Sequence, residues 1–205
     1  VGTAAPAYGT VPFPTDAVRD GSQLGHIRGL ELLTPTQAPL VADQLASIDG
    51  WGLRPVVEFF IQGAIDPTTV PQDSSRLTDW IVVVDVDPSS PERGTPVAMD
   101  WRYDATLHEI LGSPHPGTML REGTRYAAVL THDVRSADGE PVTSGGWLDQ
   151  LLHTTPPRWQ TTADAYRELD AMPQLAGRIV AIATFTTQHA TDALALARDQ
   201  LSNTQ

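Results

Sequence analysis

The feature that most constrains this chain is a series of short runs of β-branched and aromatic residues, each closed by proline, glycine or a turn-forming residue before it reaches helical length. Five runs stand out: Pro55 to Ile61, Trp80 to Val86, Val97 to Tyr103, Arg125 to His132 and Arg178 to Thr187. In the first, Val57, Phe59 and Ile61 share one face, and Val56, Glu58 and Phe60 share the other. Val97, Met99, Trp101 and Tyr103 alternate with Ala98, Asp100 and Arg102, the pattern of a half-buried antiparallel strand. Tyr126, Ala128 and Leu130 alternate in the same way. Trp80 to Val86 is apolar on almost both faces, as expected of a central, covered strand, and this places Trp80 and Trp101 in the core. The 17 prolines and 16 glycines punctuate the whole length and favour strands joined by turns over a helical bundle. The expected class is mainly β.

Helical spacing occurs in three places. Thr36 can cap a helix carrying Val41, Leu45 and Ile48, closed by Asp49-Gly50. About 45 residues separate the last two strand-like runs, far more than the 2 to 5 of a hairpin loop, so an insertion is expected there. Trp147, Leu148, Leu151 and Leu152 form an apolar stripe in it, and Thr162 can cap a second helix bearing Ala165, Tyr166, Leu169 and Met172. Leu194, Ala197 and Leu201 predict a final amphipathic helix over Thr191 to Leu201. The expected layout is an N-terminal extension over 1–27, a sandwich over 28–189 with a helical insertion at about 146–173, and a C-terminal helix over 190–205 leading to a following domain.

The sharpest local signal is Leu120-Arg121-Glu122-Gly123-Thr124-Arg125-Tyr126, which runs straight into an alternating strand. In Greek-key sandwiches a tyrosine at the start of the sixth strand tucks its ring under the corner, and its hydroxyl bonds backbone a few residues upstream. Tyr126 is assigned that structural role. The expected fold is an Ig-like Greek-key antiparallel β-sandwich with a helical insertion and flanking helices.

Composition bounds the function. There is no cysteine, so disulfides, thiolate metal sites and cysteine nucleophiles are excluded. The 13 basic residues are all arginine, and 25 acidic residues bring the formal charge to −12, which argues against nucleic acid or an anionic membrane surface as partner. No apolar stretch reaches the roughly 18 to 20 residues of a membrane span. The opening Val1 to Pro14, rich in Ala, Gly, Thr and Pro, reads as the spacer after a removed signal or an upstream lipid anchor.

Several segments together resemble the N-terminal Ig-like region of large exported bacterial hydrolases and lipoproteins, of the virulence-factor lipase and myxobacterial lipoprotein type. They are Val11-Pro12-Phe13-Pro14-Thr15-Asp16, Leu45 to Trp51 with Asp49-Gly50-Trp51-Gly52, Phe59 to Pro67, Leu120 to Pro141, and Ala183-Thr184-Phe185-Thr186-Thr187-Gln188. The resemblance spans nearly the whole chain. It implies an extracellular, cell-surface or periplasmic location and a following α/β-hydrolase domain as partner.

Chemistry of its own is not expected here. The Gly-x-Ser-x-Gly elbow of a serine hydrolase is absent, and the nearest serines, Ser22 and Ser113, lie in glycine- and proline-bearing segments that read as loops. The six histidines, His26, His108, His115, His132, His153 and His189, show no paired metal-ligand spacing, and His132 beside Asp133 is the one best placed for a carboxylate partner. Calcium takes 6 to 8 oxygens, and the acids that could offer them are Asp85 and Asp87 after one strand, then Asp133, Asp138 and Glu140 after another. Trp51 is expected to cover the core edge. Trp147 and Trp159, in the insertion, are the two tryptophans left either to form an exposed recognition surface or to pack the insertion against the sandwich. The expected function is therefore a non-catalytic scaffold or docking module, with an independent binding module for a glycan, polymer or partner protein as the alternative.

Overall fold

The structure is a computed structural model that describes residues 9–20, 23–24, 48–154, 156–192, 198 and 202. The helix expected from Thr36 and most of the helix expected from Thr191 lie outside the described residues.

The chain is mainly β. Strands β1 (Arg19–Asp20) and β2 (Gln23–Leu24) form a two-residue ribbon. Then come β3 (Val57–Phe60), β4 (Asp73–Ser74), β5 (Ile81–Asp85), β6 (Pro96–Val97), β7 (Met99–Asp104), β8 (Glu109–Pro114), β9 (Arg125–Thr131) and β10 (Ile179–Thr186). Helices α1 (Gly146–Thr154) and α2 (Gln160–Asp170) lie between β9 and β10. Two antiparallel sheets of four strands result, with orders β3-β8-β7-β4 and β10-β9-β5-β6.

The sheets share one hydrophobic core. Val57, Phe59, Met99, Trp101 and Ile110 from the first sheet cluster with Ile81, Val83, Tyr126, Ala128, Leu130 and Phe185 from the second. The alternate residues of the second sheet point the other way. Val82, Val84, Ala127, Val129 and Ile182 join Leu148 and Leu151 of α1, Trp159, and Ala163, Ala165 and Leu169 of α2 in a second cluster. This explains why β5 is apolar on both faces: one face meets the opposite sheet and the other meets the helices. Thr162 on α2 and Thr184 on β10 share a buried 2.7 Å hydrogen bond across that contact, and Arg93 reaches Glu168 at 2.7 Å.

Three expectations are corrected. The Val97 to Tyr103 run is not one strand, because Val97 pairs with Val83 of one sheet while Met99 pairs with Pro114 of the other. The chain changes sheets at Ala98, whose carbonyl takes the His115 N–H. Ser113, expected in a loop, lies within β8. There Gly112 is required because Trp101 stands opposite it, and a Cβ would sit 2.1 Å from the indole ring. Trp80 precedes β5 at the sheet end and is 40% exposed, so it is not a core residue; its carbonyl holds the Thr131 N–H and hydroxyl at 2.9 and 2.8 Å.

Candidate functional site

The end of β5, the start of β9 and the end of β10 meet at one end of the second sheet, since Tyr126 stands opposite both Asp85 and Phe185. The Tyr126 ring is buried and stacked on Phe185, with centroids 5.9 Å apart. Its hydroxyl accepts the backbone N–H of Arg121 at 3.0 Å. The intervening turn is closed from both sides: the Thr124 hydroxyl donates to the Glu122 carbonyl at 2.8 Å, and the Thr187 hydroxyl donates to the Arg121 carbonyl at 2.5 Å. Burial pushes the Tyr126 phenol pKa up, and the charges of Asp85 and Glu92 push it the same way against the Arg121 N–H.

Beneath this corner lies a cavity of about 170 Å³, walled by Asp85, Glu92, Pro96, Val97, Leu120, Arg121 and Tyr126, with Met119 among its lining residues. Asp85 is almost fully buried, and its two oxygens accept the Asp87 N–H at 2.9 Å and the Ser90 hydroxyl at 2.5 Å. Asp87 accepts from the Ser89 N–H and hydroxyl and from the Arg125 N–H. Burial works to raise its pKa, yet these bonds hold the carboxyl below its ordinary value. Both acids therefore brace the β5–β6 turn.

The other acids that could offer oxygens to calcium are elsewhere. Asp133 follows the far end of β9, and seven residues at about 3.3 Å each put roughly 20 Å between the two pairs. Arg178 takes Asp133 at 2.9 and 2.6 Å, so although burial pushes the carboxyl up, the guanidinium and the Thr131 hydroxyl hold it low. Asp138 is exposed in the turn that Gly139 closes onto Ser136. Asp85, Asp87, Asp133 and Asp138 do not converge, and no group of three or more metal-ligating side chains occurs among the described residues.

Of the two readings of the insertion's tryptophans, packing is the one realised. Trp159 is 2% exposed, sealed between the helices and the second sheet, and Trp147 is half-buried with its ring 5.7 Å from that of Trp159. The outer face of β5, β9 and β10 is apolar, so the insertion's aromatic residues are used to cover it. Trp51 is buried as a core-edge cover, edge-on to Phe13 at 4.9 Å.

Two features escaped sequence reasoning. Asp16 accepts from the Trp51 indole at 3.1 Å, the Thr186 N–H at 3.1 Å and the Thr186 hydroxyl at 2.6 Å, tying the lead-in segment to the last strand. Asp49 holds His189 just beyond that strand, and Glu122 accepts from both the N–H and the hydroxyl of Thr191. Partners 35 to 170 residues apart leave no periodic trace.

A serine, a histidine and an aspartate do come near one another on the outer face of the first sheet. His115 Nδ1 meets Asp100 at 2.8 Å, and Ser113 is the cross-strand neighbour of Asp100. No hydrogen bond joins Ser113 to His115, and both are open to solvent, so the serine lacks the contact that would activate it. His132 makes no hydrogen bond to its neighbour Asp133, whose carboxylate is taken by Arg178, and acts on it through charge alone.

No protein-family model matches the chain, and no curated protein is significantly similar to it.

Proposed function

We propose that this chain is a non-catalytic Ig-like scaffold of an exported bacterial protein, which fixes the direction in which an attached hydrolase domain leaves the sandwich. The observation that carries the reading is the strand order. Phe13 bridges to Glu58 of β3, which continues to β8 and β7. The other sheet runs β5, β9, β10 outward, with β6 on its free edge. This order, with β4 added beyond β7, supports reading the strands as A-B-E-D against C-F-G of an Ig-like Greek key, with Tyr126 at the start of strand F as its corner. The helical insertion then falls between F and G.

The scaffold role draws on the clasps at the end of strand G. Asp16, Asp49 and Glu122 reach Thr186, His189 and Thr191 in turn, so the chain leaves the sheet along a held path. The hydrolase identity of the attached domain, and an upstream lipid anchor, rest on the resemblance of the sequence alone. The alternative of a glycan-binding module drew on Trp147 and Trp159, and burial of Trp159 takes that platform away.

The reading frame supplies the test. A hydrolase domain carrying Gly-x-Ser-x-Gly encoded in frame beyond Gln205 is the expected result. A stop codon directly after Gln205 would overturn the docking role.

A further inference from the structure

We infer that the cavity beneath the Tyr126 corner is a socket for one cationic side chain, lysine or arginine, presented by a partner polypeptide. This claim is independent of the scaffold role and stands without it. At about 170 Å³ the cavity is smaller than the ~300–1,000 Å³ of sites that enclose a drug-sized ligand, so a single side chain fits it better than a whole metabolite.

Its walls divide by chemistry. Val97, Leu120 and Met119, the last 65% exposed, offer apolar surface to a methylene stem. Asp85 is 2% exposed and bonded through its side chain to two neutral donors, the Ser90 hydroxyl and the Asp87 N–H. Among the described residues no guanidinium bonds Asp85 directly, so a cation supplied from outside would add a charge-assisted partner. The neighbouring guanidinium groups are paired with other carboxylates. Arg93 is close enough to feel the Asp85 charge but bonds Glu168 through two nitrogens, at 3.1 and 2.7 Å. Arg121 stands 3.5 Å from Glu92, and both are about half-exposed, a loose pair that an incoming cation can compete for. The formal charge of −12 adds a long-range pull on a basic partner.

The chain contains three methionines, and Met119 alone lines the cavity, whereas Met99 and Met172 pack in the two core clusters. Protein labelled at the methionine methyl carbons would be titrated at low salt with a glycine-flanked lysine pentapeptide and with its norleucine counterpart. The expected result is a saturable shift of the Met119 signal with the lysine peptide, with Met99 and Met172 unmoved and no response to norleucine. Asp85→Asn should weaken binding about tenfold or more, the value of one charge-assisted hydrogen bond. Should that variant fail to fold, Glu92→Gln, at an exposed position, must weaken binding in the same direction. A Met119 signal that stays still, or responds equally to the norleucine peptide, would overturn the socket. An equal response to free ethylammonium would overturn the polypeptide as its occupant.

Discussion

Asp49 and His189, 140 residues apart, grip each other twice: the ring Nδ1 meets one carboxylate oxygen at 2.5 Å, and the His189 backbone N–H donates to the other at 3.1 Å. The ring also lies against Gly123, whose φ of +56° and missing Cβ leave it room. The hydrogen bond to Asp49 raises the His189 pKa above 6.5, and the bond to His189 lowers the Asp49 pKa below 3.8 against slight desolvation. Asp192 and Glu122 add to the pull on the histidine.

The sign follows for each partner. The histidine's contribution is complete below about pH 6.5 and fades as pH rises through its raised value. The aspartate's contribution is complete above about pH 3.8 and fades as pH falls through its lowered value. The clasp is strongest between those limits. Because both side chains are about half-exposed, its worth is at most about 1 kcal/mol. Urea unfolding of His189→Ala should differ most from wild type near pH 5 to 6 and converge with it above pH 8, and a constant difference across that range would refute the assignment.

Tyr126→Phe keeps the ring stacked on Phe185 but leaves the Arg121 N–H without its acceptor. The expected loss is about 1 to 2 kcal/mol, measured as a lower urea midpoint at unchanged slope. A smaller effect, within about 0.3 kcal/mol, would mean that the turn is held by the threonine bonds alone.

Trp159→Ala separates packing from recognition. A side chain sealed between helices and sheet should cost about 3 to 5 kcal/mol when removed, with loss of near-ultraviolet circular dichroism. Little change in stability would restore the exposed-surface reading.

Gly112→Ala would drive a methyl group into the Trp101 ring, which is itself buried and held by a 2.8 Å bond from its indole N–H to Ser74. The ring must move, at about 1 to 3 kcal/mol, and a shift in tryptophan fluorescence should accompany the drop in melting temperature.

Strand parity was legible wherever packing repeats along the chain. The face shared by Val57 and Phe59 is the buried one, and Tyr126, Ala128 and Leu130 share the face toward the opposite sheet, although β9 is buried on its other face as well; the insertion falls between β9 and β10. β8 was not legible, because Gly112, Ser113 and Pro114 carry turn chemistry, and the Trp101 ring that demands a glycine comes from another strand. The cavity and the clasps were equally hidden. Asp85, Glu92 and Arg121, like Asp49 and His189, become neighbours only once strands from distant parts of the sequence are paired. Trp159 misled for a related reason: its burial depends on the outer face of a sheet whose need for a cover cannot be read from the insertion itself.

The step at Ala98 gives the molecule a seam. Within three residues the backbone belongs first to one pleated layer and then to its opposite, so neither layer can peel away without dragging a strand out of the other. Thermal and chemical melting are accordingly expected as one concerted transition, with Trp101 on the first layer and Tyr126 on the second reporting the same midpoint.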